Sequence, residues 1–242
     1  MAQVVANQVG IRFAINRKQH RTARDFIIKG RRHKTSDRFW ALRHVSFQVD
    51  AGEAVGLMGA NGSGKTTLLK LVGGVMTPDE GTIVTTGAVA SMLSLGAGFS
   101  PTLTATENIY MTGAIYGLNR KQINERFDDI VDFAGVGDFL DTPVRHFSSG
   151  MRVRLGFSVI REIDSPIVLL DEVLAVGDRS FSHKVFGHIE NMRVSGKTLF
   201  IVSHRAKNIK KLCSRLMVLE KGRLVHDGDV KEGVKLYRSQ KN

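Results

Sequence analysis

The 242-residue sequence predicts an α/β fold, with a parallel or mixed sheet flanked by helices and a helical insertion between two of its strands. Three observations carry that expectation. From Ile167 onward, short apolar runs alternate with helix-length segments. A glycine-rich loop, Gly59 to Gly64, joins an apolar run to a helical one. Residues from about 100 to 160 read as helical throughout. The length suits one large domain, and 42% hydrophobic with 24% charged residues excludes a disordered or fibrous chain.

The elements follow in order. Val4–Phe13 alternates weakly and reads as a strand. A basic segment, 16–38, comes next, with Arg24–Ile28 a short amphipathic helix. Val45–Val49 alternates cleanly as a half-buried strand, and Asp50-Ala-Gly52 turns the chain into the apolar strand Ala54–Met58. The helix after Gly64 should run through Lys70 and Leu71, and Pro78–Gly81 is a turn. Thr104 followed three residues on by Glu107 is a capping-box pattern. Asn119 starts a second helix reaching about Phe133, with Gly135 near its end. Strands at Ile167–Leu170, Thr198–Val202 and Leu216–Leu219 then alternate with helices after Gly177 and Ser203.

Lys and Arg outnumber Asp and Glu by 35 to 23, for a net charge of +12. Such a balance suits nucleic acid, anionic lipid headgroups or phosphorylated ligands. Its distribution is uneven: segment 16–38 holds nine basic residues against two acids, and Arg205–Arg223 holds seven against one. The single cysteine, Cys213, excludes an internal disulfide framework and a cysteine-rich zinc site. No apolar run approaches the roughly 18–20 residues of a spanning helix, and Met1–Asn7 lacks a signal-peptide layout. A soluble cytosolic domain is the expectation.

Gly59-Ala60-Asn61-Gly62-Ser63-Gly64-Lys65-Thr66 fits G-x-x-x-x-G-K-[ST] without mismatch, between an apolar strand and a helix. Polyphosphate carries several negative charges, and the N–H groups of a loop poor in side chains at a helix N-terminus can surround it. Lys65 would hold β- and γ-phosphates and Thr66 would ligate Mg²⁺, with Thr67 beside them. About a hundred residues later, Ile167–Leu170 ends in Asp171 and Glu172. A buried strand delivers its terminal acid to the ligand edge of a parallel sheet, so Asp171 could hold magnesium and Glu172 could activate a water. No G-x-S-x-G or H-E-x-x-H pattern is present, and His183 and His188 stand five apart, which does not put them on one helix face as i, i+4 ligands.

His146-Phe-Ser148-Ser149-Gly150-Met151 precedes a helical run and stands about twenty residues before Asp171. Together these motifs resemble the ATP-binding subunits of ABC transporters, in which this position carries an L-S-G-G-Q signature. Phe147, Ser149 and Met151 depart from that pattern. The S-S-G-M form, with Asp171-Glu-Val-Leu-Ala-Val-Gly-Asp178, Leu95–Phe99 and Glu107-Asn-Ile109, resembles the ATPases of bacterial polysaccharide exporters of O-antigen, capsule or teichoic acid. The likeness spans about residues 40–230.

The resemblance implies a P-loop NTPase cassette over residues 1–242. A RecA-like core, an antiparallel β subdomain, a helical subdomain over about 95–162 and C-terminal strands and helix over about 205–242 make it up, and 16–38 is a basic insertion. It implies ATP and Mg²⁺ as ligands, ATP hydrolysis, and two copies per active unit, each signature (Ser148, Ser149, Gly150, Met151) facing the other copy's phosphate loop. His204 matches the switch histidine that meets the γ-phosphate and positions Glu172. Asp178 matches the loop that communicates between subunits, although Gly177 departs from the usual form. A glutamine common before the helical lobe is absent, its region being Ser94, Leu95 and Gly96. For the ring that stacks on adenine, Phe13 and Trp40 compete.

The function that follows is the ATPase of an exporter at the cytoplasmic face of the cell membrane. A homodimer of the chain would join a separate integral membrane permease and move a lipid-linked polysaccharide. Segment 16–38 would meet anionic headgroups or a pyrophosphate-linked carrier. The chain leaves no room for an appended carbohydrate-binding domain, which favours teichoic acid, capsule or cell-wall galactan. The alternatives are a soluble ATPase of the same superfamily acting on nucleic acid or ribosomes, and a non-catalytic nucleotide-binding module. Repair members carry long coiled coils and ribosomal ones two cassettes, and neither suits this length, so no nucleic-acid partner is expected. The intact set of Lys65, Asp171, Glu172 and His204 weighs against a module without catalysis.

Overall fold

The computed structural model describes residues 1–14, 38–92, 99–172 and 179–239. Two sheets meet around a shared interior. In the smaller, β1 (Ala2–Ala14) lies between β2 (Arg38–Asp50) and β4 (Glu80–Thr85), antiparallel to both. The larger runs β5 (Val89–Ser91), β6 (Ile167–Asp171), β7 (Thr198–Val202), β3 (Ala54–Gly59), β8 (Arg215–Glu220), β9 (Arg223–Gly228). Its first five strands are parallel and β9 returns antiparallel.

The sequence explains the difference between the sheets. Strand β3 is buried along its whole length, β7 likewise, and β6 up to Asp171, because helices cover one face of the parallel sheet and the helix after Gly64 together with the antiparallel sheet covers the other, leaving no face for polar residues. Strands β2 and β9 alternate in burial instead, since one of their faces meets solvent. Arg215 ties the C-terminal hairpin down. Its guanidinium bonds Asp227 on β9 at 2.5 and 2.7 Å and Glu53, just before β3, at 3.2 Å.

The helices are α1 (Lys65–Val72), α2 (Ala105–Ile115), α3 (Arg120–Ala134), α4 (Ser149–Ile160), α5 (Arg179–Val194), α6 (Ala206–Leu212) and α7 (Val230–Ser239). Helices α2 to α4 pack on one another around Ile109, Ile123, Ile130, Leu155 and Val159, a core of their own. The two expected caps are present. Thr104 and Glu107 close a reciprocal capping box on α2, and Asn119 and Gln122 close another on α3. Gly135 ends α3 in the left-handed conformation. Strands β4 and β5 were not expected from the sequence. Apart from Arg38, which opens β2, the basic segment 16–38 lies outside the described residues.

Phe157 joins the helical lobe to the sheet. It is fully buried on α4, stacks on Phe133 of α3 at 5.7 Å and meets Phe181 of α5 edge-on at 6.2 Å. Phe157→Ala should cost about 3–5 kcal/mol through lost burial and an unfilled cavity. Urea denaturation followed by far-UV circular dichroism measures that loss.

Candidate functional site

Register places the site. Along the parallel strands β3, β7 and β6, Leu57 pairs with Val202 and Val202 with Asp171. The chain leaves all three strands at the same edge. Gly59 therefore stands two residues past the pair on β3, His204 two past it on β7, and Glu172 one past it on β6.

The loop after β3 can curl because of its glycines. Gly64 adopts φ +107°, and a Cβ there would lie 2.6 Å from the Leu42 side chain and 2.8 Å from the Ala41 carbonyl. A Cβ on Gly59 would collide with the Leu219 carbonyl. The β8–β9 turn braces the loop from outside, since the Gly222 N–H donates to the Ser63 carbonyl at 3.0 Å. Lys65 is 8% exposed, and its Nζ donates to the carbonyls of Gly59 at 2.8 Å and Ala60 at 3.0 Å. Burial lowers its pKa, against the pull of Glu172 and Asp171.

Asp171 accepts from the Thr66 hydroxyl at 3.3 Å. Burial raises its pKa, and the Thr66 bond opposes the rise. An acid destabilised in this way gains when a cation arrives. Two hard oxygens stand together here, and among the described residues no cluster of three or more His, Cys, Asp or Glu could hold a metal ion. That donor set fits Mg²⁺, which takes its other ligands from phosphate and water.

Glu172 sits in the left-handed region at φ 54°, while its N–H still donates to the Val202 carbonyl at 3.1 Å. Its Oε1 lies 2.6 Å from Nε2 of His204. The strand ends thus bring together the carboxylate and the histidine that the sequence separates by about thirty residues.

Beside the loop opens a cleft of about 590 Å³ lined by Asn61, Gly62, Gly64, Lys65, Thr66, Thr67, Asp171 and Glu172, with Phe13, Phe39 and Ala41 on its far side. Phe13 and Phe39 are cross-strand partners on β1 and β2 with ring centroids 5.9 Å apart. A family model described as ABC transporter matches residues 42–175. The chain belongs to the ABC transporter family. Over 212 residues it is 44% identical to the O-antigen export system ATP-binding protein RfbB of Klebsiella pneumoniae, covering 88% of this chain and 84% of that one. It is 42% identical over 201 residues to the teichoic acids export ATP-binding protein TagH of Lactiplantibacillus plantarum, covering 83% and 55%. The fold matches that of the ATP-binding cassette MJ0796, solved as a dimer bound to ADP and Pi. The TM-score is 0.75 at 19% identity, over 94% of this chain and 98% of that one.

In this ABC cassette the sequence-predicted residues divide. Asn61–Thr67, Asp171, Glu172, His204 and Phe13 gather at one place. Ser148–Met151 do not line the cleft. Ser148 caps α4, its hydroxyl accepting from the Met151 N–H at 3.1 Å, while Ser149 and Gly150 begin the helix. The N-terminal N–H groups of α4 thus stand apart from the cleft lining. Asp178 and the region of Ser94–Gly96 lie outside the described residues.

Trp40 is a correction. Neighbours on a strand face opposite ways, so Trp40 points away from the cleft that Phe39 lines, and it sits between the guanidiniums of Arg12 at 5.4 Å and Arg43 at 5.0 Å. Phe39 was missed, and the β1–β2 register that pairs it with Phe13 was the signal that could have found it. Phe13→Ala and Phe39→Ala should each weaken nucleotide binding about three- to tenfold, and Trp40→Ala should leave it unchanged. Titration with a fluorescent ATP analogue checks both.

Proposed function

We propose that this chain is the ATP-hydrolysing subunit of an exporter that moves a lipid-linked polysaccharide through a separate membrane permease. The observation that carries the reading is the convergence of Lys65, Thr66, Asp171, Glu172 and His204 at one sheet edge. That set supplies a phosphate-binding lysine, two oxygen donors for a cation and a carboxylate placed to activate a water. The export functions named for the relatives give the substrate class and favour it over a nucleic-acid role. Among the described residues no helix is long and apolar enough to cross a membrane, and the permease is part of this proposal.

The chain's residues divide the work. Lys65 exchanges its bonds to the Gly59 and Ala60 carbonyls for oxygens of the β- and γ-phosphates. Loop N–H groups and the positive end of α1 surround the chain of phosphates. Phe13 and Phe39 receive the adenine. Thr66 and Asp171 would hold Mg²⁺, which when bound would supply positive charge against the phosphate oxygens. Glu172 accepts a proton from the attacking water, with His204 holding the carboxylate in position. Ser149 and Gly150 of a second copy, at the N-terminus of its α4, complete the γ-phosphate site, so two chains work as one unit. Asp178 carries the contact between the copies. The basic segment 16–38 meets the anionic surface on the cytoplasmic side, where the permease lies.

Lys65→Ala should abolish ATP turnover. Glu172→Gln should bind ATP and lower turnover by about a hundredfold or more. In cells, both variants should accumulate lipid-linked glycan on the inner side of the membrane, measured by accessibility to an added glycosidase. Normal hydrolysis by Glu172→Gln would refute the base, and unchanged glycan distribution would refute the export role.

A further inference from the structure

We propose that Tyr237 of the C-terminal helix is a positioning residue for hydrolysis, holding His204 in the tautomer that serves Glu172. Its hydroxyl lies 3.2 Å from Nδ1 of His204, and Nε2 of the same ring lies 2.6 Å from Glu172 Oε1. The three groups form a line from the interior to the ligand edge of the sheet. The inference rests on the reading of Glu172 and His204 given above and goes beyond it, because it brings into the site an element remote from it in sequence.

The direction of each hydrogen bond follows from chemistry. An ionised carboxylate only accepts, so the short contact with Glu172 requires a proton on Nε2. In the neutral ring Nδ1 then carries a lone pair, and the tyrosine O–H is the group that donates to it. Without the hydroxyl, the Nε2–H tautomer loses one of the two hydrogen bonds that favour it over the other tautomer and keeps only the one to Glu172. The other tautomer would turn the Nε2 lone pair towards the Glu172 carboxylate and push it off line. Should the ring become charged, Nδ1–H can donate to the tyrosine oxygen instead, so the hydroxyl keeps the ring's orientation in both states.

Packing makes Tyr237 suited to this task. It is 4% exposed, and Val230, Gly233, Val234 and Tyr237 form one buried stripe along α7. Gly233 lets the helix sit close to the sheet, since a Cβ there would lie 2.7 Å from the His226 ring and 2.8 Å from Leu216. At the helix start, the carboxylate of Asp229 accepts from the N–H groups of Lys231 at 2.8 Å and Glu232 at 3.0 Å. The seat of α7 is therefore fixed along its length, and the hydroxyl reaches His204 from a rigid support.

Tyr237→Phe keeps the ring and removes the hydroxyl. Nitrogen-resolved NMR of the histidine-labelled, nucleotide-free chain, at a pH where the ring is neutral, should show a single Nε2–H tautomer for His204 in the wild type. The variant should show a mixture. Its kcat for ATP should fall about three- to tenfold with KM unchanged, while thermal unfolding by circular dichroism stays within a few degrees. A packing role alone would move neither the tautomer nor kcat separately from KM. An unchanged single tautomer, or an unchanged kcat in a chain whose wild-type form hydrolyses ATP, overturns the proposal. A tautomer change in a chain that hydrolyses no ATP would instead bring down the assignment of the site.

Discussion

The parallel placement of β7 between β3 and β6 is the constraint on which the site depends. Because Leu57, Val202 and Asp171 are in register, the three strands end together and release a phosphate loop, a histidine and two carboxylates within hydrogen-bonding distance of one another. A slip of one residue in either ladder would point each side chain to the opposite face. Burial keeps the three strands in place: β3, β7 and β6 up to Asp171 are buried on both faces, so none can leave the sheet without exposing apolar groups to water. The energetics of the core and the geometry of the chemistry are one property of these strands.

The charges at that edge are set against one another. Lys65 and Asp171 are each pushed towards neutrality by burial, and each is partly held ionised by the other and by their neighbours. Such a cluster is ready for a ligand that brings both signs, as a triphosphate with its cation does. Elsewhere the positive excess is partly answered inside the fold, most clearly where Arg215 is claimed by Asp227 and Glu53. Trp40, between two arginines, shows a second way of placing cations against the protein rather than against a partner.

What could be read in the sequence was whatever is written in consecutive residues. The phosphate loop, the apolar strand ending in Asp171 and Glu172, the Thr104–Glu107 capping box and the helix start at Asn119 are local patterns, and the structure has each where it was expected. Three features were hidden because they depend on pairing across the chain. Phe39 meets Phe13 only through the β1–β2 ladder, whose connection includes residues 15–37, and that separation left Trp40 as a competing choice. Strand β5 is three residues long and exists as a strand only beside β6. Tyr237 carries no local sign of its contact with His204, thirty-three residues away.

Ser149 and Gly150 are not among the residues lining the cleft that contains Lys65 and Glu172, and the proposal that a second copy supplies them is the one on which the account turns. Sedimentation of the purified Glu172→Gln chain with Mg²⁺ and either ATP or ADP tests this most directly. A dimer with ATP, a monomer with ADP, and loss of the ATP dimer when Ser149→Glu is added would agree with the account. A chain that stays monomeric with ATP at high protein concentration, or one that dimerises despite Ser149→Glu, would contradict it.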